Sequence, residues 1–252
     1  MLGCLLLHGL TSSLAVVDGL VPYLEARGIP YRLPVLRGHG GVPADLRGVA
    51  AADWYADAAR ALDELLAECD RAVIVGLSMG GAVALDLAAE RGERLAGVVV
   101  LAPALKLAGG LGDRLRVTAA AVPDALVPID VRNAYEDADR AAASTNYTHA
   151  PARAILALDG YGRRVTRLLP RITAPLMVVY TPDDRVVPPA VAALVYERVG
   201  TPPARKRLLA VPGSGHELLL DRQREAVCEA VVAFIDELRA GEGSGGGAGG
   251  AA

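Results

Sequence analysis

Residues 73–81 read VIVGLSMGG, and the sequence continues to residue 91 as AVALDLAAER. Val73, Ile74 and Val75 form an unbroken β-branched run, the pattern of a strand covered on both faces. From Met79 onward the Ala and Leu content and the placement of charges are those of a helix. Between the two lies Gly76-Leu77-Ser78-Met79-Gly80, a Gly-x-Ser-x-Gly pentapeptide at a strand-to-helix corner. So sharp a corner strains the serine backbone and lifts its hydroxyl above the sheet. Side chains at 76 and 80 would collide as the two elements turn back on each other. Ser78 is therefore the candidate nucleophile. The pentapeptide alone is a frequent chance match, and the strand before it and the helix after it are the context it requires.

Outward from this corner, short apolar runs alternate with helical patterns. CLLLHG precedes a helix near 13–27, YRLPVL one near 53–68, APLMVVYT one near 189–199, and KRLLAVP a last one near 222–239. LAGVVVLAP leads instead into a long irregular insert. The order predicts an α/β fold, a mostly parallel central sheet with helices on both faces. Ligands in such sheets bind at the strand carboxyl ends, where the motifs of this chain fall. The expected organisation is a core of residues 1–103 and 171–240, with 104–170 as a small helical cap insert. That insert is too long for a loop and contains ARAILALDGYGRRVTRLL, a helical pattern. Leu107, Leu111 and Leu115 repeat at i, i+4 and suit either the cap's own core or the wall of an acyl pocket. Residues 241–252, GEGSGGGAGGAA, are expected to be a disordered tail, because they bury too little surface to offset their ordering entropy.

Composition narrows the function classes. At 252 residues, 52% apolar and 22% charged, the chain can bury one large α/β core. A net charge of −3 leaves no footprint for nucleic acid or a polybasic membrane signal. No apolar stretch reaches the ~18 residues of a membrane span. Cys4, Cys69 and Cys228 are far apart, odd in number and without metal-ligand spacing, which predicts buried free thiols and a reducing, cytoplasmic location. The first strand begins almost at Met1, so no basic leader is expected before it.

A serine hydroxyl needs a positioned base. In the nucleophile-elbow architecture the chain order is Ser, then Asp or Glu, then His. Of the four histidines, His216 lies in PGSGHELLLD, a loop after the last predicted strand that can reach back over the elbow. His8 and His39 precede Ser78 and read as structural, and His149 falls in the insert. The acid should follow APLMVVYT, where Asp183 and Asp184 are neighbours. Asp184, at the head of DRVVPP, is favoured to hold the His Nδ1, with Asp183 supporting the turn or exposed. Two backbone N–H groups should bind the oxyanion: that of Met79 at the helix start and that of Leu10 in HGLTSS. No metal or organic cofactor is implied.

HGLTSS, LRGHGGVPADL, DWYADAARAL, GLSMGG, DDRVVPP and SGH occur in the order seen in α/β-hydrolases. They resemble most the bacterial carboxylesterase and monoacylglycerol lipase group, over about residues 3–239 and least in the cap. The resemblance implies a serine esterase acting on a small-molecule ester, short- to medium-chain acyl esters or monoglycerides, with Ser78, Asp184 and His216 as triad. Two departures stand out: the first strand begins at Leu2, and Leu10 replaces the usual Phe, which removes an aromatic wall. A pocket lined by Leu, Val, Met and Ala discriminates weakly between chain lengths. Acyl transfer, thioester hydrolysis, cofactor-free haloperoxidation and non-catalytic ligand binding on the same fold are the alternatives.

Overall fold

Apolar runs without alternation become the inner strands of a six-stranded sheet in the computed structural model, which describes residues 1–110, 122 and 124–243. The strands are β1 (Leu2–Leu7), β2 (Tyr31–Arg32), β3 (Arg71–Leu77), β4 (Leu95–Leu101), β7 (Leu176–Tyr180) and β8 (Lys206–Ala210). Their spatial order is β2-β1-β3-β4-β7-β8, and every neighbouring pair is parallel. β5 (Leu126–Pro128) and β6 (His149–Pro151) pair antiparallel in a separate two-stranded sheet within the insert.

Successive strand residues point to opposite faces. Leu5, Leu7, Ile74, Val98 and Val100 therefore pack into one core with α3 (Ala51–Glu68), α4 (Met79–Arg91), α6 (Ala152–Leu168) and α7 (Ala190–Arg198). Leu6, Val73, Val75 and Val99 pack on the other side against α1 (Ala15–Asp18), α2 (Val21–Glu25) and α8 (Arg224–Gly243). Two buried faces explain why the strands read as continuous apolar runs. All three cysteines are free and buried, and burial pushes the Cys4 thiol up to about 12.

Several elements differ from the expectation. The helix near 13–27 is two short pieces, because Pro22 has no N–H to continue the ladder from α1. Of YRLPVL only Tyr31 and Arg32 pair, since Pro34 cannot donate to a neighbouring strand. The insert contains β5 and β6 besides helices α5 (Ala138–Ala142) and α6. Helix α8 runs on to Gly243, past the point where a disordered tail is expected to begin. Leu111, Leu115 and residues 244–252 lie outside the described residues, so the leucine stripe is represented only by Leu107. Among the described residues no helix is long and apolar enough to cross a membrane.

Candidate active site

Ser78 links β3 to α4 with φ 55° and ψ −115°. A non-glycine residue held there costs on the order of 1–3 kcal/mol and persists only where its surroundings dictate it. Its N–H donates to the Leu101 carbonyl at 2.9 Å, and its carbonyl accepts from Ala82 N at 3.1 Å and Ala104 N at 3.0 Å. A Cβ on Gly76 would strike the Gly80 carbonyl, and one on Gly80 would strike the Leu7 carbonyl. The two glycines let β3, α4 and β1 approach closely enough to make the corner.

His216 and Asp184 come from the loops after β8 and β7. Nδ1 of His216 lies 2.8 Å from Asp184 Oδ2, and the two side chains are 5% and 3% exposed. Asp184 Oδ1 accepts from Val186 N at 2.8 Å and Val187 N at 2.9 Å, which fixes the carboxylate plane. Burial opposes ionisation of both groups, but their mutual attraction outweighs it. The His216 pKa is raised, with the Glu217 charge assisting, and the Asp184 pKa is lowered. Asp183 is exposed; its carboxylate accepts from Gly213 N at 2.8 Å and so braces the histidine loop.

Met79 opens α4, so its N–H belongs to the first turn, where no intrahelical acceptor exists. Leu10 lies in the loop after β1, next to Thr11, whose φ is 64°. Thr11 is held from two sides: its N–H donates to His39 Nε2 at 3.2 Å, and its carbonyl accepts from Tyr147 N at 2.7 Å. His39 Nδ1 donates to the Leu36 carbonyl at 3.0 Å, and its ring stacks on Tyr147. His8 donates from Nδ1 to Gly9 O at 2.9 Å and accepts from Leu36 N at 3.1 Å. Both histidines are structural in their bonding, and His149 is exposed in β6.

Ser78, His216 and Leu10 line one cavity of about 360 Å³. Its apolar wall includes Leu107, Ile129, Ile155, Leu158 and Val186, without an aromatic side chain or Met among the described residues. A larger depression of about 800 Å³, lined by Asp63, Arg91 and Arg171, lies at the amino ends of the strands and contains none of these groups. Several residues of the site escape a reading by motif. Asp221, fully buried, accepts from Gly215 N at 2.5 Å, Glu136 N at 2.7 Å and Asp137 N at 3.0 Å, tying the His216 loop to the insert. Glu217 and Asn146 line the cavity as a bonded pair, 2.8 Å from Nδ2 to Oε1. The available signals are acids in an otherwise apolar loop, HELLLD, but their partners lie about seventy to eighty-five residues away.

The profile of the Hydrolase_4 family, described as serine aminopeptidase, S33, matches residues 3–223, which contain every group described above. The chain belongs to this family. Among the proteins similar to it, the thermostable monoacylglycerol lipase of Bacillus sp. (strain H-257) is 27% identical over 238 residues, covering 92% of this chain and 90% of the relative. The carboxylesterase of Bacillus subtilis (strain 168) is 25% identical over 239 residues, with 93% and 92% covered. A solved structure of the metagenome-derived lipolytic enzymes LipS and LipT superposes with TM-score 0.85 at 32% identity over 94% of each chain. The parallel six-stranded sheet with flanking helices is thus the α/β-hydrolase fold.

Proposed function

We propose that this S33-family protein is a carboxylic ester hydrolase that works through an acyl-enzyme on Ser78, with His216 as base and Asp184 as its orienting acid. The observation that carries the reading is the convergence of three strand ends: a strained serine and a carboxylate-bound histidine line the same cavity. With Nδ1 engaged by Asp184, Nε2 is the nitrogen left to take the Ser78 proton. Relatives that act on monoacylglycerols and other carboxylic esters support an ester rather than another acyl derivative.

His216 accepts the Ser78 proton as Oγ bonds to the ester carbonyl carbon, and the carbonyl pair of electrons moves onto oxygen. The N–H groups of Met79 and Leu10 bind that oxyanion; losing one such donor costs about 100–1000-fold in kcat. Collapse breaks the bond to the alcohol oxygen, which leaves with the His216 proton. Water, deprotonated by His216, then attacks the acyl-enzyme and regenerates Ser78. The 360 Å³ cavity and its aliphatic wall favour short- to medium-chain acyl groups with weak discrimination between them. Residues 104–170 act as the cap of this site, and three buried free thiols suit a reducing cytoplasm.

Ser78→Ala is expected to lower p-nitrophenyl ester hydrolysis at least about ten-thousandfold. A fluorophosphonate should label the wild-type protein on Ser78 and leave the variant untouched. Hydrolysis by Ser78→Ala close to wild type would remove the assignment.

A further inference from the structure

Glu217 directly follows the proposed base and is 4% exposed. Its Oε1 accepts from Asn146 Nδ2 at 2.8 Å, whereas its Oε2 and the Asn146 Oδ1 are buried and meet no donor among the described residues. Two unpartnered acceptors on one bonded pair are an unfavourable arrangement for a purely structural role, because buried polar groups are nearly always hydrogen-bonded. Both residues line the cavity beside His216. Burial holds the Glu217 carboxyl above the usual range, while the His216 charge and the Asn146 bond pull it back.

The position fixes which part of an ester meets this pair. His216 has to reach the departing alcohol oxygen, so the wall continuing from it flanks the alcohol, while Leu107, Ile155 and Leu158 supply an apolar wall for the acyl chain. Neighbouring acceptors in want of donors are matched by O–H groups, and two hydroxyls on adjacent carbons can serve both. We propose that Glu217 and Asn146 form a hydroxyl-recognition pair on the leaving-group side, selecting esters whose alcohol carries free hydroxyls next to the ester bond. The proposal rests on the serine-hydrolase reading and goes beyond it by naming the residues that choose the alcohol. An ester lacking those hydroxyls leaves the acceptors unpaired, and a site built around a substrate hydroxyl rejects such analogues strongly.

Three octanoate esters test it: glyceryl, 2,3-dimethoxypropyl (similar in shape but without O–H donors) and n-propyl, with p-nitrophenyl octanoate as the control for turnover. In the wild-type protein kcat/KM for the glyceryl ester should exceed that for each of the other two at least about tenfold, equivalent to ~1.4 kcal/mol. In Glu217→Leu and Asn146→Leu the ratio should fall toward one. Each ratio is taken within a single protein, so a loss of folded material cancels. A wild-type ratio below tenfold overturns the proposal even if neither variant folds, and so does a ratio that both variants leave unchanged. If the wild-type protein does not cleave p-nitrophenyl octanoate, or Ser78→Ala still does, the triad reading fails and the proposal fails with it. Cleavage of p-nitrophenyl octanoate through Ser78 with a flat ester ratio removes the hydroxyl pair alone.

Discussion

At the residue scale the decisive pair is His216 and Asp184, because each moves the other's titration. Burial alone would lower the His216 pKa, and the Asp184 carboxylate together with the Glu217 charge turns the shift upward. The proposed base, His216, is neutral only above that raised value, so kcat/KM should fall with acid through an apparent pKa above 6.5, the ordinary histidine value. Asp184→Asn removes the main raising cause and leaves burial, so the acid limb should shift to lower pH while kcat falls about ten-thousandfold. Initial rates from roughly pH 5 to 9 on a neutral ester check both, and an unmoved acid limb in the variant speaks against the pairing. The same shifts act on stability with opposite signs. His216, raised in the folded state, stabilises fully below about 6.5 and loses that contribution as pH rises through its folded pKa. Asp184, lowered, contributes above about 3.9 and loses its contribution as pH falls through its folded pKa. The strained corner at Ser78 and the contact of His216 with Asp184 rather than with the exposed Asp183 were legible because each lies within a local motif at a strand end. Glu217 was not, because its partner Asn146 sits in the insert, where no motif fixes the register.

At the element scale, strands β1, β3, β4, β7 and β8 and helices α3, α4, α6, α7 and α8 follow the sequence pattern closely. Continuous apolar runs and 3.6-residue periodicity are strong signals when both faces of the sheet are covered. β5 and β6 are three residues each, too short for alternation to register, and among the described residues they pair only with each other. What fixes the insert relative to the His216 loop is a fully buried carboxylate. Asp221 gathers three backbone N–H groups, one from Gly215 and two from Glu136 and Asp137. Arg185, the residue after the proposed acid, adds a second tie by donating to the Tyr135 carbonyl at 3.0 Å. Asp221→Ala strands three donors, each worth about 1–3 kcal/mol when buried and unpaired, so a loss of about 3 kcal/mol or more is expected. Its kcat should drop as well, because Gly215 carries His216. Asp221→Asn, which keeps acceptor capacity at the same place, should lose less of both. Urea unfolding alongside ester turnover measures the two effects. Full activity in folded Asp221→Ala would show that the histidine loop holds its place without this tie.

Across the whole molecule, three chain segments distant in sequence meet around His8 and His39, and the bonding there demands neutral rings. His8 at the end of β1 accepts from Leu36 N, and His39 accepts from Thr11 N, so a proton on either accepting nitrogen breaks a buried bond. Burial is the main cause that lowers both pKa values, the His8 value to about 4, and the His39 charge, 4.7 Å away between ring centroids, lowers His8 further. Between about 4 and 6.5 His8 therefore binds more protons in the unfolded chain than in the folded one, and its contribution to stability falls as pH falls through that window. A depression of His8 from 6.5 to about 4 corresponds to roughly 3 kcal/mol by the bottom of the window. That slope opposes the one from His216, which raises stability on the acid side of its folded pKa. His8→Gln offers an amide oxygen to Leu36 N and a donor to Gly9 O without a titrating group. The variant should unfold in urea with a shallower dependence on pH below about 6.5 than wild type, even if it is less stable at neutrality. Since His39 orients Thr11 beside the proposed oxyanion donor Leu10, the acid loss of activity should contain a share that follows His39 protonation. That share should persist when substrate saturates the enzyme, because bound ester supplies no substitute acceptor for Thr11 N–H. Parallel stability slopes in wild type and His8→Gln would mean that the acid sensitivity arises elsewhere, among the carboxylates.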